Sequence, residues 1–260
     1  MNTNIVSLDG VSFNSSAAQG GYIALGYSGN CSYVFSRIQQ RVVALRPSHM
    51  NEMTLKAVCG ADWCEGNYYE MHPKKEEMFF DHKRLSTDII AGCQRVGIYN
   101  ESSERKCGVW PSADGSALYI NGTQLWRNDG KVIDNGFLEN KVYPRSGDIG
   151  FGPQTESASQ EDVAKVLKAF GAYQWRAEMV PEMLLGWFVC AVLAPSLKHR
   201  PHVYFTAPAG TGKSVLLETM SLMLGTLAHK ASGPQTKAGL YQSLGGTTQA
   251  DVLDEAEPDS

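Results

Sequence analysis

Ala207-Pro208-Ala209-Gly210-Thr211-Gly212-Lys213-Ser214 is the stretch that decides how this chain is read. An apolar, strand-like run, Val203-Tyr204-Phe205, precedes it, and a helix-like run, Val215-Leu216-Leu217-Glu218-Thr219-Met220, follows. A loop that cradles phosphate must turn its backbone N–H groups toward the anion. It therefore needs residues that tolerate unusual dihedrals, the part given to Gly210 and Gly212. The helix that follows points its positive end at the same place. On this reading residues 207–215, from Ala207 to Val215, bind the phosphates of a nucleotide. Lys213 reaches the β- and γ-phosphates as a point charge, and Ser214 holds Mg²⁺ through its hydroxyl. The first glycine of the common pattern is replaced by Ala207, so the match is to the relaxed form. The rival reading is a glycine-rich turn ahead of an ordinary helix.

A second element lies downstream, in Ala250-Asp251-Val252-Leu253-Asp254-Glu255. A short apolar run that ends in an acidic pair suits the position across from a phosphate loop. Asp254 would bind Mg²⁺, and Glu255 would act as general base on the attacking water. Acidic pairs are common and usually solvated, and Asp251 breaks the apolar run. The spacing is the stronger argument. Asp254 follows Lys213 by 41 residues, room for a helix, a strand, a second helix and a return strand.

Composition narrows the class. The 260 residues are 43% hydrophobic and 19% charged, which suits a soluble globular chain with one large or two modest domains. The net charge of −4 gives no global basic field, so contact with nucleic acid would come from local patches or an oligomer's pore. The six cysteines are scattered. Cys59 and Cys64 are separated by four residues, but no second pair stands at metal-ligand spacing, so free thiols are expected. No apolar run is long enough to span a membrane, and no basic-then-apolar leader opens the chain. A cytoplasmic location is the expectation.

Along the chain, residues 1–20 read as a loose lead-in. Tyr22 to Tyr27 and Tyr33 to Phe35 flank Ser28-Gly29-Asn30 as a hairpin, and Arg41 to Leu45 offers a third strand. Ser48 is expected to open a helix. Leu85 to Ile98 has helical periodicity, with Gly97 near its end. Short strands with turn signals follow, including Ser112-Ala113-Asp114-Gly115 and Asn121-Gly122. Tyr143 to Pro153 is rich in glycine and proline and reads as a linker. Ser159 and Asp162 form a capping-box pattern, and Pro181 begins another helix. The Lys198 to His202 turn reads as solvated, and the five tryptophans read as core.

Two strings resemble a known family. One is Arg200-Pro201-His202-Val203-Tyr204-Phe205-Thr206 with the phosphate loop. The other is Gly239-Leu240-Tyr241-Gln242-Ser243-Leu244 with Val252-Leu253-Asp254-Glu255-Ala256-Glu257. Together with Leu184-Leu185-Gly186-Trp187, they are similar to the ATPase core of phage and prophage primase–helicase proteins, near superfamily 3 and D5-like helicases. The resemblance covers about residues 155–260 well and the rest weakly. It implies an ATP-dependent motor with Mg²⁺, often a homo-oligomeric, hexameric ring, that unwinds DNA during replication, with single-stranded or forked DNA as its partner. A complete core of that kind also carries a polar sensor and usually an arginine finger. These are expected outside these 260 residues, because the sequence stops five residues after Glu255.

The expected fold class is α/β. A partial P-loop core with a parallel sheet (199–260) would follow a helical connector (158–198). A linker (146–157) would separate these from a small α+β module (21–145). The sequence leaves two rivals to a helicase motor: another P-loop enzyme such as a kinase, and a non-catalytic remnant that binds nucleotide or DNA.

Overall fold

A computed structural model describes residues 21–72, 75–232, 238–239 and 244–254. The chain is α+β and divides into two compact units. One comprises residues 1–104 and 135–144, the other residues 105–134 and 145–260.

In the first unit, β1 (Tyr22–Ser28), β2 (Cys31–Ser36) and β3 (Arg41–Leu45) form an antiparallel meander. The expected hairpin forms with Ser28 opposite Cys31, and Gly29 turns the chain at φ 57. α1 spans Glu52–Cys59. It starts later than Ser48 because Asn51 is the residue whose side-chain oxygen accepts from an orphan amide, that of Thr54, at 2.9 Å. Ser48 lies instead in the single turn Pro47–His49. α2 (Ala61–Tyr68) and the hairpin of β4 (Tyr69–Met71) and β5 (Met78–Phe80) follow. α3 (His82–Val96) is capped by Asp81 and ends at Gly97, φ 99. It lays Leu85, Ile89 and Cys93, all fully buried, against Val34, Leu45 and Leu55. The other face of the meander buries Leu25 and Phe35 against Tyr99 and Val142. Val142 belongs to a second hairpin, β10 (Gly136–Leu138) with β11 (Lys141–Tyr143). Gly26, at φ 127, marks a bulge. A Cβ there would stand 2.6 Å from the Gly97 carbonyl oxygen, so only glycine lets β1 approach the end of α3.

The second unit holds a four-stranded antiparallel sheet of β6 (Gly108–Pro111), β7 (Leu118–Asn121), β8 (Leu125–Arg127) and β9 (Val132–Ile133). Asn121 is less a turn residue than an anchor. It is fully buried, and its amide donates to the Arg105 carbonyl at 2.6 Å. Residues 105–134 therefore group with the helices, whereas the sequence placed them in the 21–145 module. Val109 and Ile120 pack on Ala191, Leu224 and Leu227, contacts far apart along the chain. The 146–157 stretch is irregular, as a linker would be, yet it is docked: Ile149 is buried in this same cluster.

α4 (Gln160–Gly171) carries the expected capping box between Ser159 and Asp162, and α5 (Val180–Val192) has Pro181 in its first turn. α6 (Lys213–Leu224) buries Leu216 and Met220 against Phe170 and Leu184, so it packs on α4 and α5. β12 (Ala228–Ser232) and β13 (Ala250–Asp254) follow as a parallel pair in continuous register. This is the only parallel strand pair among the described residues; the other sheets are small and antiparallel. The parallel P-loop sheet expected from the sequence is not formed among the described residues, where parallel strand pairing is limited to β12 with β13. Val203-Tyr204-Phe205 does not form the expected first strand. A strand requires a ladder partner, and this segment is held by side chains instead. Phe205 packs into the α4–α5–α6 core, Trp187 Nε1 donates to the Pro201 carbonyl, and Tyr204 is 85% exposed. No helix among the described residues is long and apolar enough to cross a membrane.

Candidate nucleotide-binding site

The loop of residues 207–212 is exposed apart from its last residue, half-buried Gly212, and leads into α6. Gly210 has φ 77 and Gly212 has φ 90, in the left-handed region where a side chain costs about 1 kcal/mol or more. Two such residues with one between them fold the chain back on itself and deliver it into α6 at Lys213. The first helical bond inside α6 runs from the Leu216 amide to the Gly212 carbonyl, 2.9 Å. Among the described residues, the amides from Gly210 to Val215 meet no protein acceptor. These are the orphan donors of a helix start and the preceding turn, groups for which an anion is a natural partner.

Thr211 Oγ1 donates to the Pro208 carbonyl at 2.8 Å and stiffens the turn. Lys213 folds its ammonium over the loop, donating to the Ala207 carbonyl at 2.6 Å and to the Pro208 carbonyl at 2.9 Å. A cation thus stands at the rim of the amide-lined turn, held by neutral oxygens. Ser214 and Val215 are exposed on the first turn of α6.

The platform beneath is rigid. Phe205, Tyr173 and Trp175 join the core formed by Phe170, Leu184, Leu216 and Met220, so the entry to the loop and the base of α6 share one cluster. Trp175 Nε1 donates to the Phe170 carbonyl at 2.7 Å, and its ring lies 6.1 Å from that of Phe205.

Asp254 is exposed at the C-terminal end of β13, in register with Ser232 on β12. Among the described residues, no hydrogen bond or ion pair joins Lys213 or Ser214 to Asp254. β12 pairs with β13, and α6 packs on both strands. Glu255 lies outside the described residues, as do Leu240 to Ser243 and Ala256 and Glu257.

Asp251, which broke the apolar run in sequence, has a partner that the sequence reading missed. His229 faces it in register across the strand pair, Nδ1 to Oδ1 2.7 Å, both side chains about three-quarters buried. The signal was the matching position of a histidine in β12, which cannot be aligned before the register is known. Approach to β13 is fixed by Thr248. Its amide donates to the Cys107 carbonyl, and its hydroxyl accepts from the Val109 amide, 3.2 Å each.

Lys198 to His202 are exposed, and Arg200 donates to the Ala194 carbonyl. All six cysteines are free thiols, and the described residues include no cluster of three or more His, Cys, Asp or Glu side chains able to hold a metal. Ser214 and Asp254 are nonetheless hard oxygen donors of the type Mg²⁺ takes from hydroxyl and carboxylate groups. No family model matches the chain, and no curated protein or solved structure matches it.

Proposed function

We propose that the second unit binds ATP with Mg²⁺ at residues 207–215 and hydrolyses it as the motor core of a phage-type DNA helicase or primase–helicase acting in replication. The observation that carries the nucleotide reading is the turn at Gly210 and Gly212, which opens α6 with unpaired amides beneath the Lys213 ammonium. The step from nucleotide binding to DNA unwinding rests on the resemblance of the loop and of Val252-Leu253-Asp254-Glu255 to that family.

In this reading the amides of 210–214 hold phosphate oxygens, and Lys213 exchanges its carbonyl partners for the β- and γ-phosphates. Mg²⁺, when bound, neutralises charge on the phosphate oxygens. Ser214 and Asp254 are the residues that would hold it. Glu255 accepts the proton of the attacking water. DNA would be the partner, a homo-oligomeric ring the working assembly, and the cytoplasm the location.

The test is ATP hydrolysis measured with and without single-stranded DNA. DNA-stimulated turnover lost in Lys213→Ala supports the motor. Turnover that depends on a small-molecule acceptor instead of DNA indicates a kinase. Binding of ATP without any turnover indicates a nucleotide-binding module.

A further inference from the structure

We infer that Tyr173 is the stacking platform for the base of the nucleotide whose phosphates the 207–215 loop holds, which makes the site one for nucleoside triphosphates rather than for phosphate alone. The inference rests on the nucleotide reading of that loop.

Tyr173 lies two residues beyond the end of α4, forty residues before Lys213, in a segment to which the sequence reading gave no role. Its ring comes against the loop's own backbone: Cε1 is 3.4 Å from where a Cβ on Gly212 would stand. Gly212 is the residue that turns the chain into α6, so this ring stands beside the start of that helix and its unpaired amides. Tyr173 is half-buried and packs against the cluster of Phe170, Leu184, Leu216 and Met220. It is held by Trp175, whose ring lies 5.7 Å away at 41°, and Trp175 is itself locked by its bond to the Phe170 carbonyl and by Phe205. The ring is therefore pre-positioned on a packed base, which lowers the entropy lost when a flat ligand stacks on it. An aromatic face beside a phosphate cradle is the chemistry that receives a nucleobase. Because every base has a π-face, stacking of this kind selects nucleotides as a class and discriminates weakly among bases.

Calorimetric titration of the chain with Mg-ATP and with Mg-tripolyphosphate separates base from phosphate. Tyr173→Ala is expected to weaken ATP roughly tenfold while leaving tripolyphosphate unchanged, and Tyr173→Phe is expected to keep wild-type affinity for both. Unchanged ATP affinity in Tyr173→Ala, with both ligands lost in Lys213→Ala, overturns the inference and leaves the loop reading standing. Equal weakening of both ligands in Tyr173→Ala also overturns it, because the ring would then only prop the loop. Indifference of both ligands to Lys213→Ala overturns the loop reading itself.

Discussion

The Lys213 ammonium donates to the Ala207 carbonyl oxygen across 2.6 Å, closing the turn with the cation that a phosphate would claim. Hydrogen bonds between neutral groups contribute about 0.5–1.5 kcal/mol net, and those to charged groups about 1.5–3. Lys213 already carries the charge, so what changes on binding is the acceptor, from a carbonyl dipole to a full anion. A phosphate anion is the stronger acceptor of the two. On the nucleotide reading, a triphosphate would take over these Lys213 contacts without refolding α6.

Gly108 governs how β13 meets the antiparallel sheet. At φ 141 it lies so close to Thr248 that a Cβ would stand 1.9 Å from the Thr248 hydroxyl oxygen. Gly108→Ala is expected to push the 244–249 segment away and lose the bond between Thr248 and the Val109 amide, lowering stability by roughly 2–4 kcal/mol. Urea unfolding measures it. Gly108→Ala with Thr248→Ala should recover part of the loss, whereas a wild-type midpoint for the single variant would refute the close approach.

His229 and Asp251 contribute as a pair. Replacing either by glutamine or asparagine should cost about 0.5–1 kcal/mol, and the double variant should cost little more than one single. A double-mutant cycle on thermal unfolding reads the coupling. Fully additive losses would mean that the two side chains do not interact.

Acid should loosen the β6–β9 sheet through its turns. Bonds from Ser112 and Ser116 hold the Asp114 carboxyl at about 2, and Arg127 holds Asp129 at about 2, both below the ordinary 3.8. A folded value below the unfolded one adds stability that is complete above about pH 4 and is lost as the pH falls toward 2. Asp114→Asn should flatten the dependence of the melting temperature on pH in that window and leave its slope at neutral pH unchanged. An unaltered slope between pH 4 and 2 would remove Asp114 from the account.

Glu255→Gln keeps shape and removes basicity. ATP affinity should persist while hydrolysis in the DNA-stimulated assay falls on the order of 10²–10⁴-fold. Loss of binding in step with turnover would assign Glu255 to the architecture instead.

Features fixed by neighbours in sequence were legible. Gly29 in the first hairpin, the Ser159–Asp162 box, Gly97 at the end of α3 and the glycine pair before Lys213 all act within a few residues of themselves. Features set by distant partners were not. Val203 to Phe205 has the composition of a strand, but composition cannot supply a ladder partner, and the α4–α5–α6 core took Phe205 instead. Asn121 resembles a turn residue until Arg105 and Lys106 are placed beside it. Asp251 reads as a defect until β12 aligns His229 with it. The 105–134 strands read as part of the first module because their contacts, such as Val109 with Thr248, span more than a hundred residues.

The central claim is that residues 207–215 bind a nucleotide through their amides and the Lys213 cation, and calorimetry with Mg-ATP on the wild type and Lys213→Ala tests it most directly. Losing a charge-assisted contact of about 1.5–3 kcal/mol should weaken affinity by roughly 10- to 150-fold, with only a small fall in the melting temperature of the ligand-free chain from the two exposed turn bonds lost. Equal ATP affinity in the two proteins would contradict it.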